Sequence, residues 1–298
     1  MAKNKKLGFS YTLGSDPELM LYSMAEKRIV SSIPVLKRDK HNPIILDEAN
    51  GIKAYADNVL LETAFNPCKS KDEMLERFRV VFQNIQNHLG DKYKLVPKAA
   101  HEFPMEDLKE AYGINPMQIG CDPSYNAWLK QINNPGEFQS GLRTGSCHFH
   151  IGNDKLTDFN TRLDAIKVLD IYLGCSFVIV DKDPTSRDRR TYYGQSSEHR
   201  PCDYGLEYRV LSPYVLKSPK LLGLALDIID FSMQHIKNDT AKQIIESVDS
   251  DMVINAINKC DLSLAKSVLT KAELPLSLMK RIEDNYGELD LYKEWSIK

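Results

Sequence analysis

Three short stretches of the sequence each place two chemically capable residues two positions apart. They are Asp16 and Glu18 in GSDPEL, His148 and His150 in GSCHFHIG, and Glu207 and Arg209 in GLEYRVL. Side chains alternate across a strand, so an i, i+2 pair points to one side of it. The intervening Phe149 and Tyr208, with Leu206, Val210 and Ile151 nearby, suit the opposite, packed face. Alone, each pair also describes a solvated strand face, because charged groups cost far less in water than buried. H-x-H by itself fits a zinc site, a cupin-type iron site or two surface histidines. E-x-R by itself fits a cross-strand ion pair. Together the three pairs offer hard oxygen ligands, imidazole and a fixed cation. That set suits Mg²⁺ or Mn²⁺ with a phosphate better than it suits zinc.

A fourth stretch, YADNVLLETAFNP, adds Asp57 and Glu62. Their odd spacing puts them on opposite faces of a regular strand, so one must be set aside or a bulge invoked. Glu62 is the expected ligand, and Asp57, before Asn58, reads equally well as a turn residue. Asp183 to Pro201 reads as a charged loop carrying Arg187, Arg189, Arg190 and Arg200. Arginine grips phosphate oxygens bidentately, which makes this a candidate triphosphate clamp. With Tyr192 and Tyr193 interleaved, it reads equally as an RNA-contacting patch. There is no G-x-x-x-x-G-K-[ST], no G-x-G-x-x-G, no G-x-S-x-G and no H-E-x-x-H. A bound nucleotide would need another kind of site.

The elements that must position these residues are strands in the first two thirds of the chain. Gly8 to Tyr22 reads as strand around a Gly14-Ser15 break, and Asn50-Gly51 signals a hairpin between Ile44 and Leu61. Ser70 and Glu73 form a capping box for a helix through Met74, Phe78, Val81 and Ile85, ended by Gly90. Leu95 to Phe103 and Tyr204 to Tyr214 read as strands. Thr157 is expected to cap a helix running to about Leu173, while Cys175 to Asp181 fits strand or helix. Ser218-Pro219 starts another helix. From Thr240 onward the pattern becomes short helices, giving an expected division into residues 1–239 and a helical appendage of residues 240–298.

Lys and Arg number 39 against 41 for Asp and Glu, a net charge of −2, which disfavours nucleic-acid binding by bulk charge. No apolar run approaches a membrane span, and no apolar stretch follows the basic start as in a signal peptide. The six cysteines form no C-x-x-C pair and read as reduced thiols of a cytoplasmic protein.

In this order, GSDPEL, ADNVLLETAFNP, GCDPSYNAW, GSCHFHIG, RRTYYG and GLEYRVLSPY resemble the phage carboxylate–amine ligases (COOH.NH2 ligases), predicted relatives of glutamine synthetase and glutamate–cysteine ligase. The resemblance spans Gly14 to Tyr214. It implies an α+β fold with a curved, mostly antiparallel sheet holding the site on its concave face, flanked by helices. It implies that ATP phosphorylates a carboxylate and an amine displaces the phosphate, with Mg²⁺ or Mn²⁺ as cofactor. The carboxylate and amine partners are a small molecule, a peptide or a modified macromolecule, in a cytoplasm (the host's, if the chain is phage-encoded). Monomer and homo-oligomer both remain open.

The resemblance also implies roles. Asp16, Glu18, Glu62, His148 and Glu207 become metal ligands, and His150 lies near the substrate. Arg209 stands at the transferring phosphate, and Arg189, Arg190 and Arg200 bind phosphate or substrate, with Arg209, Arg190 and His150 as the catalytic groups. The acyl phosphate must be kept from water, so 111–144 or 183–201 is expected to close. Two other readings stay open: a nucleotide-independent metalloenzyme built on His148 and His150, and a non-enzymatic RNA- or virion-binding protein. In the first, a cupin would need a Glu where Asp154 stands.

Overall fold

One strand, β1 (Thr12–Ser23), runs through the middle of the sheet, and most of the site is registered against it. The computed structural model describes residues 10–117, 124–133, 141–284 and 286–298. The remaining strands are β2 (Arg28–Val30), β3 (Ile44–Asp47), β4 (Ile52–Asp57), β5 (Leu60–Ala64), β6 (Tyr93–Val96), β7 (Ala100–Glu102), β8 (Ser124–Asn126), β9 (Gln131–Asn133), β10 (Leu142–Thr144), β11 (Cys147–Gly152), β12 (Glu198–Cys202) and β13 (Gly205–Tyr208). Among the described residues, antiparallel pairing gives the order β3-β4-β5-β1-β11-β13-β12-β8-β9. β2 and β6 pair with the C-terminal half of β1, and β7 pairs with β10 apart from the main sheet. The fold is therefore α+β, with a large antiparallel sheet and helices packed against it.

Several elements differ from the sequence reading. β1 does not break at Gly14-Ser15, because both residues stay in the ladder opposite His150 and Phe149. Leu95 to Phe103 is two strands, β6 and β7. The segment 183–201, read as a loop, holds a helix (Ser186–Tyr192) and the start of β12. Tyr204 to Tyr214 is strand only as far as Tyr208, and a 3-10 turn (Pro213–Lys217) follows. The helix at Lys71–Leu89 forms as expected. Ser70 accepts from Glu73 N at 3.1 Å, while the Glu73 carboxylate reaches back to Lys69 N at 2.7 Å.

The packed face of the sheet is built on Phe149, Leu206 and Tyr208, all fully buried. The helix covering it is Phe159–Leu169, capped by Asp158 rather than Thr157, whose carboxylate accepts from Thr161 N at 2.9 Å. It continues through a π turn (Asp170–Gly174) into a second helix, Cys175–Val180. The buried Asp170 carboxylate opens this irregular turn. It accepts from Tyr208 Oη at 2.8 Å, Trp128 Nε1 at 2.9 Å and Ser196 Oγ at 2.5 Å. Burial raises its pKa, and these donors oppose the rise. Gly174 permits the approach, since a Cβ there would lie 2.9 Å from the Tyr208 hydroxyl. The segment after Thr240 packs onto this layer, and its Trp295 returns to donate to Leu216 O at 2.7 Å and meet Phe82 edge to face. No helix among the described residues is long and apolar enough to cross a membrane.

Asp170→Ala should destabilise the fold heavily. It strands two buried donors and a half-buried one, and a bond to a charged acceptor contributes ~1.5–3 kcal/mol. We expect a loss of at least ~3 kcal/mol by urea unfolding; a midpoint near that of the parent chain would show that Asp170 does not anchor the layer.

Candidate active site

Strand registry carries the polar residues into one row. Glu62 on β5 stands opposite Glu18 on β1, and Asp16 opposite His148 on β11. His150 stands opposite Glu207 on β13, and Glu207 opposite Arg200 on β12. The odd spacing of Asp57 and Glu62 is resolved without a bulge. Asp57 ends β4, Asn58 turns the chain with φ at 54°, and Glu62 belongs to β5. Tyr55, two residues before Asp57, lies opposite Glu62 and donates to its Oε1 at 2.9 Å. All of these side chains therefore share one face. Glu18, Asp57 and Glu62 each bring an oxygen within 4.8 Å of the others, and Asp16, His148 and Glu207 each bring one ligand atom within the same distance.

This concentration of carboxylates shapes the electrostatics. Burial, reinforced by the Asp57 charge, pushes the Glu18 carboxyl up to about 8. Burial and then the charges of Asp16, Asp57 and Glu18 hold Glu62 well above the usual range. Burial also works against ionisation of Asp16, but His148 and His150 overcome it and hold that carboxyl low. The two imidazoles part company. Burial and the Arg209 charge bring His148 down to about 3, whereas the Asp16 carboxylate outweighs burial at His150 and lifts it to about 10. His148 Nδ1 lies 3.0 Å from Asp16 Oδ1 and 3.4 Å from Glu207 Oε1, and His150 Nε2 lies 3.1 Å from the same Asp16 oxygen. Beside them opens a cavity of about 410 Å³, lined by Asp16, His150, Tyr204, Tyr55 and Phe65.

The arginines divide. Arg209 is buried within the row, where it bonds to the Glu207 carboxylate and the Tyr193 hydroxyl. Tyr193 Oη also lies 3.1 Å from His148 Nε2, so one phenol joins the histidine to the arginine. Arg200 is three-quarters buried, with Nη1 3.9 Å from Glu207 Oε2. Arg189 is a correction to the phosphate-binding expectation. Its guanidinium is fully buried and donates to the carbonyls of Gly145 (2.7 Å), Val210 (2.8 Å), Leu211 (3.0 Å) and Arg209 (3.3 Å) and to Ser146 Oγ (2.8 Å). It clasps the chain just before β11 to the chain just after β13. Gly194 makes room for it, since a Cβ there would fall 1.7 Å from Nη1. Arg190 is also buried; it donates to Gly194 O at 2.6 Å, and its charge acts on Tyr208 and Cys175. Arg187 reaches Lys259 O in the helical layer. The clasp ties one of the expected closing segments, 183–201, to the sheet at Arg189. Part of the other, 118–123 and 134–140, lies outside the described residues, as do Cys121 and Asp122 of GCDPSYNAW.

Sequence reasoning left Asp57 undecided and missed Tyr193 as a site residue. The signal for Asp57 was the Asp-Asn dipeptide, which marks a turn and so a second strand. Tyr193 sits outside the strands and gives no periodic signal.

The family model for phage phiEco32-like COOH.NH2 ligase, type 2, matches residues 136–292. The chain belongs to that family. The matched region carries His148, His150, Glu207 and Arg209, and it extends through the helices after Thr240, which the sequence resemblance did not reach. Over 96% of its length this ligase-family chain is similar to a bifunctional glutathione synthetase from Pasteurella multocida, at 13% identity and a TM-score of 0.38, and it spans 48% of that protein. A structure described as a novel glutamine synthase homolog is similar over 96% of the chain and 71% of its own length, at 9% identity and a TM-score of 0.34. No curated protein matches the ligase-family chain in sequence.

The carboxylate crowding fixes the sign of a pH effect. A carboxyl whose folded pKa exceeds its unfolded one binds its proton more tightly when folded, so stability falls as pH rises between the two values. For Glu18 that window runs from the ordinary glutamate range to about 8. Without divalent cations, the melting temperature should fall across it, and Glu62→Gln should flatten the decline. A melting temperature that rises with pH in this window would contradict the crowding.

Proposed function

We propose that the chain joins a carboxylate to an amine using ATP, through an acyl phosphate, with Mg²⁺ or Mn²⁺ as cofactor. The observation that supports this best is the row itself: two acidic ligand groups, side by side, with a buried arginine at one of them. The donors suit a divalent cation, being mostly carboxylate oxygens whose mutual repulsion a cation would relieve. Glu18, Asp57 and Glu62 would hold one ion and Asp16, His148 and Glu207 another. Bound there, the ions would neutralise charge on the phosphoryl oxygens.

The remaining work falls to the chain's own groups. Phosphoryl transfer needs positioning and charge neutralisation more than covalent chemistry. Arg209 Nε is buried with no hydrogen-bond partner, a donor that an arriving phosphoryl oxygen would satisfy. Tyr193 and Glu207 hold the guanidinium in its orientation, so little reorganisation accompanies transfer. His150, cationic and set in the wall of the cavity, would bind the substrate carboxylate with Tyr204 beside it. Arg200, at the edge of the row, would meet phosphate or substrate oxygens. The partly apolar cavity would keep water from the acyl phosphate. The reaction belongs in a cytoplasm, where ATP is supplied.

The test is a product analysis. ADP and phosphate should form only with Mg²⁺ or Mn²⁺, a carboxylate and an amine together; AMP and pyrophosphate would reject the mechanism. Arg209→Lys keeps the charge and loses the planar fork. Turnover should fall on the order of 10²–10³-fold, with ATP binding less affected, because the benefit is largest in the transition state. Normal turnover in a destabilised Arg209→Lys protein would make the residue structural only.

A further inference from the structure

A third cluster on the same face has a different chemistry. His150, Cys202 and Glu207 each bring one ligand atom within 4.8 Å of the others. Their convergence follows from the ladder. Gly205 pairs with Gly152 of β11 on one side and with Cys202 of β12 on the other. Two neighbouring glycines leave no side chain between Cys202 and His150, so the thiol leans across β13 toward the imidazole. Glu207, two residues from Gly205, projects from the same face. The Cys202 thiol is in no disulfide and is partly accessible.

The structure assigns His150, Cys202 and Glu207 as a zinc-class site, distinct in chemistry from the oxygen-rich groups beside it. Nitrogen, sulfur and a single carboxylate oxygen form the three-protein-ligand set that zinc takes with water in the fourth position. A thiolate selects such an ion over Mg²⁺. The outer contacts favour this as well. Asp16 Oδ1 lies 3.1 Å from His150 Nε2, the carboxylate–histidine arrangement that fixes the tautomer and leaves Nδ1 as the donor atom. Nδ1 lies 2.5 Å from the Tyr204 hydroxyl, which would yield its place to the ion. On binding, the Cys202 thiol and the His150 imidazolium each release a proton to solvent, the latter from Nδ1, so that the thiolate and the freed Nδ1 coordinate. Because Glu207 and His150 both belong to the row, an ion held here withdraws them from phosphoryl transfer. Zinc is thereby an inhibitor that competes with the working state.

Cobalt(II) in the intact, magnesium-free protein reads the site without any turnover. It should bind with a thiolate-to-cobalt charge-transfer band and the intense visible bands of a tetrahedral ion, and Zn²⁺ should displace it. Cys202→Ser should abolish the charge-transfer band while leaving circular dichroism unchanged; Cys202→Ala serves as a second variant should the serine misfold. Cys260→Ser, at another partly accessible thiol, should keep the band. A cobalt spectrum with no thiolate band, or one that survives loss of Cys202, overturns the assignment. Neither outcome depends on the ligase reading, which the product analysis tests by itself. In a turnover assay, inhibition by Zn²⁺ should require at least tenfold more metal in Cys202→Ser, a shift of about 1.4 kcal/mol.

Discussion

Like charges confined to one poorly solvated surface govern this molecule. Asp16, Glu18, Asp57, Glu62 and Glu207 lie within the five consecutive strands β4-β5-β1-β11-β13 of one sheet, and their carboxyl groups cannot all ionise there at ordinary cost. The response is uneven. Asp16 is held ionised by two histidines, Glu207 is tied to Arg209, Glu18 is pushed up to about 8, and Glu62 is held well above the usual carboxylate range. Compensation is thus complete at one end of the row and only partial at the other, where the Tyr55 hydroxyl and the more distant arginines do not outweigh burial and like charge. A rigid scaffold is needed to hold that imbalance, and the apolar packing behind the sheet supplies it.

Two buried polar anchors connect the scaffold to the row. Asp170 gathers β13, the segment after β8 and the segment before β12 on the packed side. Arg189 gathers the approaches to β11 and the exit from β13. Each is charged and buried, and each has its hydrogen-bonding capacity taken up by neutral protein groups rather than by an opposite charge. Such an arrangement is costly to assemble, and removing one partner is costlier still. It fixes the geometry of Glu207, Arg209 and His148 more tightly than apolar contacts could, because hydrogen bonds are directional.

The legible part of the site was the part with a period. A strand repeats every two residues, so Asp16/Glu18, His148/His150 and Glu207/Arg209 announce a shared face without any knowledge of the fold. Asp57 and Glu62 defeated that logic because a turn at Asn58 resets the parity, and which of two strands a residue occupies depends on a hairpin partner. The arginine segment was misread for a related reason. A guanidinium's acceptors are not written next to it; those of Arg189 come from around Gly145 and from residues 209–211. The break expected at Gly14 reflected local propensity, which the long ladder of β1 overrides. The anchoring role of Asp170 was equally hidden, since its partners lie on three other elements.

The Arg189 contacts reach far along the chain. The acceptors lie 44 and 20 to 22 residues away in the sequence. One guanidinium therefore ties three stretches together, and a shift in any of them would be felt at Arg209, whose own carbonyl is among the acceptors. A substitution near Gly145, with no contact to the row, thus has a direct mechanical route to the arginine within it.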